Sequence, residues 1–318
     1  MRIGFAGVAH SHPFSDAHNL RALGCEIAGV WDIDDPQRRE AFMAEFGASS
    51  ASTLDELLDD QIDLLIGTPR PARAPYLLDT VLKRDVACFM NKTIACSMAQ
   101  LESIGRMADE LKAPFFTSSV LRFAPALEEY SIRLADQQLL SLHCEVQHEI
   151  SPFLTVERSW QDDPEGAGGT MLNMGIHGWE MIDVALNGAP LSVTDARATR
   201  ADPARTRSED AATVLAITDD GIPVSLRISG TGGKARYSLH ATTTTGPLDM
   251  ELPGDDPTAD HGYARLAEVL IDLPEQDVAP IPWARTYRLY ENMILAAEKA
   301  RSLHPDWYQT ETNESRQW

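Results

Sequence analysis

The chain has 318 residues, 43% of them apolar and 24% charged, a composition typical of a globular protein with two domains of ordinary size. Its 27 lysine and arginine residues against 48 aspartate and glutamate residues give a net charge of −21. That charge disfavours nucleic-acid binding, and it fits a neutral substrate better than a multiply phosphorylated one. No run approaches the ~20 apolar residues of a membrane-spanning helix, and no signal sequence precedes the first strand-like segment. We therefore expect a cytoplasmic protein with neither a membrane nor a nucleic acid as partner.

The first 120 residues alternate between strand and helix patterns. The strands are apolar runs without polar alternation, as expected for strands that are buried on both faces of a sheet. The predicted elements, in chain order, are a strand at 2–7, a helix at 14–23, a strand at 25–31, a helix at 36–46, a helix beginning after Thr53, a strand at 63–67, a helix at 74–84, a strand at 86–90, a helix at 98–112 and a strand at 114–117. This alternation predicts βαβ units and a doubly wound parallel sheet of the Rossmann type.

The second half of the chain has a different pattern. Its predicted elements are a helix at 125–136, a half-exposed strand at 140–150, a helix at 170–187, four strands at 192–200, 211–218, 222–229 and 235–243, and a helix at 283–301. Short turns between consecutive strands, such as Asp219-Asp220-Gly221, are typical of hairpins. We therefore predict an α/β protein in which residues 1–120 form an N-terminal Rossmann domain and residues 121–318 form an α+β domain with a mainly antiparallel sheet.

The turn between the first strand and the first helix is a candidate nucleotide site. Against the G-x-G-x-x-G fingerprint, Gly7 is retained, Ala9 holds the second place and His12 the third. Glycine allows the backbone to approach a pyrophosphate, so we predict that Gly7, Ala9, His10 and Ser11 bind a dinucleotide. An ordinary strand-to-helix turn would look similar, and both interpretations stay open at this point. His10 and His12 have no third ligand nearby, so we predict no metal site; they line the turn or are solvated.

Asp32 ends the second predicted strand, about 25 residues after Gly7. A carboxylate at this position accepts hydrogen bonds from ribose hydroxyls and repels a 2′-phosphate, so it favours NAD over NADP. The alternative is an ordinary aspartate at the end of a strand, in a loop that also holds Asp34 and Asp35. Its place in the βαβ unit favours the functional interpretation.

Several motifs, taken in order, resemble those of the Gfo/Idh/MocA oxidoreductase family, named for glucose–fructose oxidoreductase and inositol dehydrogenase. The resemblance extends over nearly the whole chain. The matching segments are Thr68-Pro69-Arg70-Pro71-Ala72-Arg73 for the family's T-P-x-x-x-H, Asn91-Lys92-Thr93 for E-K-P, Arg122-Phe123-Ala124-Pro125 for R-F-x-P, Trp160-Gln161-Asp162-Asp163-Pro164 for W-R-x-D-P, and Asn173-Met174-Gly175-Ile176-His177 for D-x-G-x-H. Asn91, Thr93 and Asn173 depart from the family pattern, as does the fingerprint that has lost two glycines.

The resemblance implies roles for individual residues. Lys92, His177 and Asn173 would form the catalytic group, with Asn173 orienting His177 through a hydrogen bond without adding charge. Thr68, Pro69, Asn91 and Lys92 would join the cofactor site.

Four further residues complete the predicted site. Trp160 would stack on a sugar face, although a tryptophan of the core fits the pattern nearly as well. His148 is a second substrate-binding candidate, on the alternating strand. Arg122 is expected to hold the junction between domains instead of the substrate. Glu180, three residues beyond His177, could substitute as an orienting carboxylate, but a solvated helix face is the favoured interpretation.

Three functions fit these observations. The first is NAD-dependent hydride transfer to or from a hydroxyl-bearing carbon of a sugar, polyol or sugar derivative. The second uses a retained NAD as a recycling redox catalyst that cleaves a glycosidic bond by elimination. The third is a non-catalytic nucleotide- or sugar-sensing protein, which the departures at Asn91 and Asn173 motivate. The family resemblance also implies a homodimer or homotetramer.

Overall fold

A computed structural model describes residues 1–8, 10–252 and 257–307 of the chain, and the side chain of Pro257 is left out of the description. Two six-stranded sheets organise these residues. None of the helices in the described ranges combines the length and the apolar character needed to cross a membrane.

The first sheet is parallel throughout, as the alternation of strands and helices predicts. Its strands are β1 (Arg2–Ala6), β2 (Glu26–Trp31), β3 (Ser49–Ser50), β4 (Leu64–Gly67), β5 (Ala87–Asn91) and β6 (Phe115–Ser118). The helices between them are α1 (His12–Ala22), α2 (Pro36–Phe46), α3 (Leu54–Asp59), α4 (Ala74–Leu82) and α5 (Met98–Ala108).

The strand order of this sheet is β3-β2-β1-β4-β5-β6. The order reverses between β1 and β4, and open α/β sheets bind ligands at the carboxyl ends of the strands beside such a reversal. Local sequence fixes the flanking helices. The Asp35 side chain accepts a hydrogen bond from the Arg38 amide at the start of α2, and Thr53 caps α3 in the same way through the Glu56 amide.

The second half folds around the other sheet. It contains the helices α6 (Pro125–Ala135), α7 (Gly169–Asn173), α8 (Gly175–Ala185), α9 (Pro257–Asp260), α10 (Tyr263–Asp272) and α11 (Trp283–Ser302), and the strands β7 (Leu139–Gln147), β8 (Leu191–Thr199), β9 (Ala211–Thr218), β10 (Pro223–Ser229), β11 (Arg236–Thr243) and β12 (Gly246–Glu251). The order is β12-β11-β7-β10-β9-β8, and every neighbouring pair is antiparallel except β7 and β10. The prediction of a mainly antiparallel sheet is therefore confirmed.

Several elements differ from the sequence prediction. The strand predicted at 140–150 ends at Gln147, so that His148 lies just after it, and the helix predicted at 98–112 ends at Ala108. The predicted helix at 170–187 is two helices, because Met174 separates α7 from α8. The sequence analysis also missed the hairpin strand β12 and the helix α10. Over the six residues Gly246–Glu251, half-exposed and exposed positions alternate until Met250, which is the one buried residue. So short a pattern is a weak signal for a strand.

Helix α8 lies directly on the second sheet because a glycine faces the strands. A Cβ atom added at Gly178 would lie 2.4 Å from Leu226 Cδ1 and 2.9 Å from Val146 Cγ2. Only glycine allows this approach without a shift of the sheet side chains. The neighbouring residue, His177, is therefore held in a fixed position relative to the sheet.

Candidate active site

Gly7 brings the turn after β1 into contact with the loop after β4. Its φ is +93°, and a Cβ atom there would lie 2.4 Å from the carbonyl oxygen of Thr68. The Gly7 amide donates to the Trp31 carbonyl at 2.8 Å, which ties the turn to the end of β2. A side chain at this position would clash with backbone, so the turn needs the one glycine that the fingerprint retains. Ala9, the second predicted cofactor residue, lies outside the described residues.

The carboxylate of Asp32 is buried behind this turn. Its Oδ2 accepts the Val8 amide at 2.6 Å, and its Oδ1 accepts the amides of Asp34 and Asp35 at 2.7 and 2.9 Å. Burial raises the pKa of Asp32, while these three amides oppose the shift. Since a carboxylate has about four acceptor positions, three are already used, and about one is left for a ligand.

Two arginines accompany Asp32 in a small cavity. Its lining residues are Gly7, Trp31, Asp32, Ile33, Asp34, Thr68, Pro69, Arg70 and Arg73. Arg73, which stands where the family motif has histidine, forms an ion pair of 3.5 Å with Asp34. Arg70 donates to the Asp34 carbonyl at 3.4 Å. The predicted residues Thr68 and Pro69 are thus brought together with Gly7 and Asp32.

The next two predicted residues of the turn differ in burial. Ser11 is exposed at the start of α1. His10 is buried, and its Nδ1 accepts the His12 amide at 3.3 Å. The alternative that His10 is solvated is therefore wrong. Burial is the main reason that the pKa values of His10 and His12 lie well below the usual value. Within the described residues, no group of three or more histidine, cysteine or acidic side chains could hold a metal ion.

Lys92 follows the last residue of β5 and projects toward α7. Its Nζ donates to the backbone carbonyl of Asn173 at 3.3 Å. Burial lowers the pKa of Lys92 to about 8, and the charge of Arg158 adds to this effect. An amine with such a pKa is mostly protonated at pH 7 and loses its charge as the pH rises through about 8.

His177 is buried on α8, and its hydrogen-bond partner is a residue that the sequence analysis missed. Its Nδ1 lies 2.6 Å from Ser119 Oγ, and the Ser119 hydroxyl also accepts the Leu121 amide at 3.2 Å. Burial lowers the pKa of His177 well below its usual value, and the charge of Lys92 acts in the same direction. The imidazole is therefore neutral at pH 7, as expected once the family aspartate is replaced by Asn173.

The predicted role of Asn173 is wrong in one respect. Its side-chain nitrogen donates to the carbonyls of Gln161 and Ala167, at 3.1 and 2.7 Å, instead of orienting His177. These hydrogen bonds tie the loop before α7 to the last residue of that helix. The contact of Asn173 with the catalytic group runs through its backbone carbonyl, which accepts the hydrogen bond from Lys92.

Glu180 is not solvated, contrary to the sequence prediction. It is buried and bonded to the Arg122 Nε, to Ser118 Oγ at 3.2 Å and to the Ser119 amide at 3.4 Å. Arg122 also pairs with Asp183 at 2.5 Å. The prediction that Arg122 holds the junction fits this geometry, because its ion pairs join the segment after β6 to α8.

Unpartnered polar atoms are present where a dinucleotide would lie. Asn91 donates to Asp16 Oδ2 at 3.4 Å, but its Oδ1 is buried without a hydrogen-bond partner, as is the Oγ1 of Thr68. Buried polar atoms without partners are uncommon in folded proteins. Together with the close approach at Gly7, they fit a ligand that supplies hydrogen-bond groups, such as the ribose and carboxamide of NAD.

The two predicted substrate residues lie on the second-half side of the cleft. Trp160 is half-buried, and the Arg70 guanidinium covers its ring with Cζ 5.3 Å from the ring centroid. Its Nε1 is buried without a partner. His148 is half-buried, and its Nδ1 lies 2.8 Å from the Glu149 carbonyl. Its pKa is lowered mainly by burial and further by the charges of Lys92 and Arg158.

Ser119 and Arg158 are the functional candidates that sequence reasoning missed. Ser119 directly follows β6, at the carboxyl ends of the parallel strands, where open α/β sheets bind ligands. This position in the predicted sheet could have indicated a functional residue. Arg158 lies two residues before Trp160, whereas the family motif has arginine directly after the tryptophan. Gln161 occupies that place here, and its Oε1 accepts a hydrogen bond of 2.7 Å from Arg158 Nε.

Two family models match separate parts of the chain. Residues 1–118 match the oxidoreductase family with an NAD-binding Rossmann fold, and residues 138–248 match the GFO/IDH/MocA C-terminal domain. A curated relative, glucose-6-phosphate 3-dehydrogenase of Bacillus subtilis (strain 168), is 26% identical over 187 residues. That match covers 57% of this chain and 51% of the relative, so it spans about half of the relative's length.

Solved structures share the whole architecture. The chain is similar to GenD2 from gentamicin A biosynthesis, crystallised with NAD, with a TM-score of 0.85, 17% identity and coverage of 96% and 95% of the two chains. It is also similar to myo-inositol 2-dehydrogenase from Lactobacillus plantarum, with a TM-score of 0.80, 11% identity and coverage of 95% and 97%. At these identities, the likeness establishes the fold.

Proposed function

Because the chain belongs to the Gfo/Idh/MocA family of NAD-binding oxidoreductases, we propose that it transfers a hydride between NAD and a hydroxyl-bearing carbon of a sugar, polyol or sugar derivative. The observation that carries this proposal is that the chain brings Lys92 and His177 to the same cleft. Lys92 binds the backbone of Asn173, four residues before His177, and its charge adds to the effect of burial in lowering the pKa of that imidazole. A cation and a neutral base thus face the same cleft.

Bound NAD supplies the carbon that accepts or returns the hydride. Gly7, the remaining acceptor position of Asp32, Thr68 Oγ1 and Asn91 Oδ1 would hold it. Asp32 favours NAD over NADP, since a carboxylate repels a 2′-phosphate.

The protein's own side chains manage the hydroxyl proton. With Nδ1–H donating to Ser119 Oγ, His177 keeps a lone pair on Nε2 and accepts that proton. The Lys92 ammonium stabilises the alkoxide character that develops on the same oxygen. In the reverse direction, His177 returns the proton to the oxygen of the new alcohol.

A titration of the nucleotide-free protein tests this proposal. Purified protein stripped of bound nucleotide is titrated with NAD⁺ and with NADP⁺, and its thermal stability is followed, because a ligand of the folded state raises that stability. Preferential NAD⁺ binding, followed by NADH formation in a screen of polyols and sugars, is the expected result. The absence of binding of either nucleotide at millimolar concentration would contradict the proposal and favour a cofactor-free binding protein. Tight NAD retention without turnover of free cofactor would point instead to elimination chemistry.

We also propose a domain organisation and an oligomeric state for the chain. We place the domain boundary at residue 120, so that residues 1–120 bind the cofactor and residues 121–318 bind the substrate and the partner subunit. The outer face of the second sheet exposes Leu215 and Ile217, which supports a homodimer or homotetramer formed through that face. The substrate is a small molecule, and the protein works in the cytoplasm without a nucleic-acid or membrane partner. Light scattering of the purified protein tests the oligomer.

A further inference from the structure

The candidate active site is basic, although the chain as a whole carries a net charge of −21. Hydrogen bonds place two cationic side chains along one wall of it. Lys92 Nζ donates to the Asn173 carbonyl at 3.3 Å, the Asn173 side chain donates to the Gln161 carbonyl at 3.1 Å, and Arg158 Nε donates to the Gln161 side chain at 2.7 Å. A local excess of positive charge in an acidic protein indicates a site for a negatively charged ligand.

Arg158 and His148 both pack against the aromatic ring of Phe153. The Arg158 Cζ lies 5.1 Å from the centroid of the Phe153 ring, and the His148 ring stacks on Phe153 at 6.4 Å with an interplanar angle of 11°. Phe153 is buried, so both polar side chains are held by a fixed surface. The cation–π contact and the hydrogen bond from Arg158 Nε to Gln161 orient the guanidinium.

Arg158 has no carboxylate partner within the described ranges 1–8, 10–252 and 257–307. The nearby acidic side chains are engaged elsewhere or exposed. Asp162 accepts the amides of Arg207 and Ser208, Asp163 pairs with the Arg207 side chain at 3.4 Å, and Glu149 and Glu157 are exposed. Arg122, by contrast, pairs with two carboxylates, the buried Glu180 and the half-buried Asp183. A half-buried guanidinium without a counter-charge is costly unless a ligand supplies one.

We propose that the substrate carries an anionic group, a carboxylate or a phosphate monoester, which the terminal nitrogens of Arg158 bind beside His148. A guanidinium binds the paired oxygens of either group through two parallel hydrogen bonds. This inference rests on the proposed function and narrows its substrate class from hydroxylated molecules to sugars or polyols with an acidic substituent. It also replaces the expectation of a neutral substrate, which was drawn from the net charge alone.

Binding to the NADH complex tests the inference. Glucose, glucuronate and glucose 6-phosphate are compared as probes by calorimetry on the NADH-loaded protein, and their kcat/KM values are measured where turnover occurs. We expect at least one anionic probe to bind about tenfold to hundredfold more tightly than glucose, as charge-assisted hydrogen bonds allow. Preference for glucuronate identifies a carboxylate, and preference for glucose 6-phosphate identifies a phosphate.

The variants Arg158→Gln and Arg158→Lys locate the effect. Arg158→Gln should remove the preference for the anionic probe without changing the Kd of NADH by more than about twofold, and Arg158→Lys should retain part of it. Arg106→Gln, which removes an exposed positive charge on α5, is the matched control and should change neither.

Three results would overturn the inference while leaving the proposed function intact. They are equal binding of glucose and the anionic probes, no detectable binding of any probe at millimolar concentration, and a loss of NADH affinity in Arg158→Gln with the anion preference unchanged. The last result would assign Arg158 to the cofactor's pyrophosphate. Failure of NADH itself to bind the wild-type protein would instead remove the proposed function and this inference with it.

Discussion

The cofactor side and the reaction side of the cleft are built in different ways. On the proposed cofactor side, the key positions, Gly7 and Asp32, lie within one βαβ unit, so neighbouring segments of the chain build this side. On the proposed reaction side, the groups come from distant segments. Lys92, Ser119 and His177 come from three separate segments of the chain and meet only after both sheets have formed.

The difference determines how each side responds to substitution. On the proposed cofactor side the contacts are shared between the turn at Gly7 and several polar groups, so removal of one side chain takes away only part of the binding. A site made of converging side chains loses a specific chemical group with each substitution, and catalysis by such groups is worth orders of magnitude in rate. The largest effects are therefore expected on the reaction side.

Replacement of Lys92 by methionine should have the largest effect. The ammonium is lost while the chain length is nearly kept, so kcat/KM should fall about 10²–10⁴-fold, and the Kd of NAD⁺ should change little. Steady-state kinetics and a nucleotide titration on the same preparation measure the two quantities. A comparable loss in NAD⁺ affinity would show that Lys92 belongs to the cofactor side. It would contradict the proposed separation of cofactor-binding residues from catalytic residues.

The pH dependence of alcohol oxidation separates the roles of Lys92 and His177. The pKa of Lys92 is about 8, and the proposed mechanism needs its protonated form, so kcat/KM should fall as the pH rises above about 8. The pKa of His177 lies well below its usual value, so no acid limb is expected near the usual histidine pKa of about 6.5.

The variant Lys92→Arg serves as the control for this profile, because arginine stays protonated over the whole range. Whatever activity it retains should show no alkaline decrease. An increase of kcat/KM through pH 8 in the wild-type protein would reverse the assignment, with Lys92 as the base and His177 as the orienting group.

The same division explains which parts could be predicted from sequence. The parallel sheet, the turn at Gly7 and the acidic end of β2 follow from local patterns, because each feature lies within one short segment. The three backbone bonds to Asp32 could not be foreseen, since the carboxylate reaches back across the turn to Val8.

On the reaction side, local pattern was insufficient. Lys92 and His177 were found through the resemblance to a family, and Ser119 was missed because its contact with His177 joins β6 to α8. For a related reason, Asn173 was assigned a wrong partner and Glu180 a solvated face. Helical spacing places a residue on a face of a helix, but it does not show that the carbonyls of a loop or the Arg122 guanidinium lie opposite that face.

Ser119 should have a smaller effect than Lys92, because it acts through His177. Ser119→Ala removes the partner of Nδ1, so both tautomers and several ring orientations become available. We expect kcat to fall roughly tenfold, with an altered acid limb in the pH profile, and we expect Ser119→Thr to restore most of the activity. A fall in kcat that Ser119→Thr does not reverse, with an unchanged profile, would indicate a purely structural role.

Asp16 contacts Asn91 on the proposed cofactor side and should give the smallest effect, in stability instead of rate. Its carboxyl group is buried on α1 beside Asn91, and burial raises its pKa to about 7. The folded protein therefore holds a proton that an unfolded chain, with an aspartate pKa of about 3.9, releases. The stability from this proton is fully present below about pH 4 and is lost as the pH rises through about 7.

The variant Asp16→Asn keeps the shape of the side chain but cannot ionise. Relative to wild type, its Tm should be similar at pH 5 and higher by about 2 °C or more at pH 8, where wild-type Asp16 must carry a buried charge. Scanning calorimetry at the two pH values checks this, with the exposed Asp277→Asn as the matched control that should show no such difference. If Asp16→Asn lowers the Tm at pH 8, the ionised carboxylate stabilises the contact with Asn91, and this buried polar contact is charged in the folded protein at that pH.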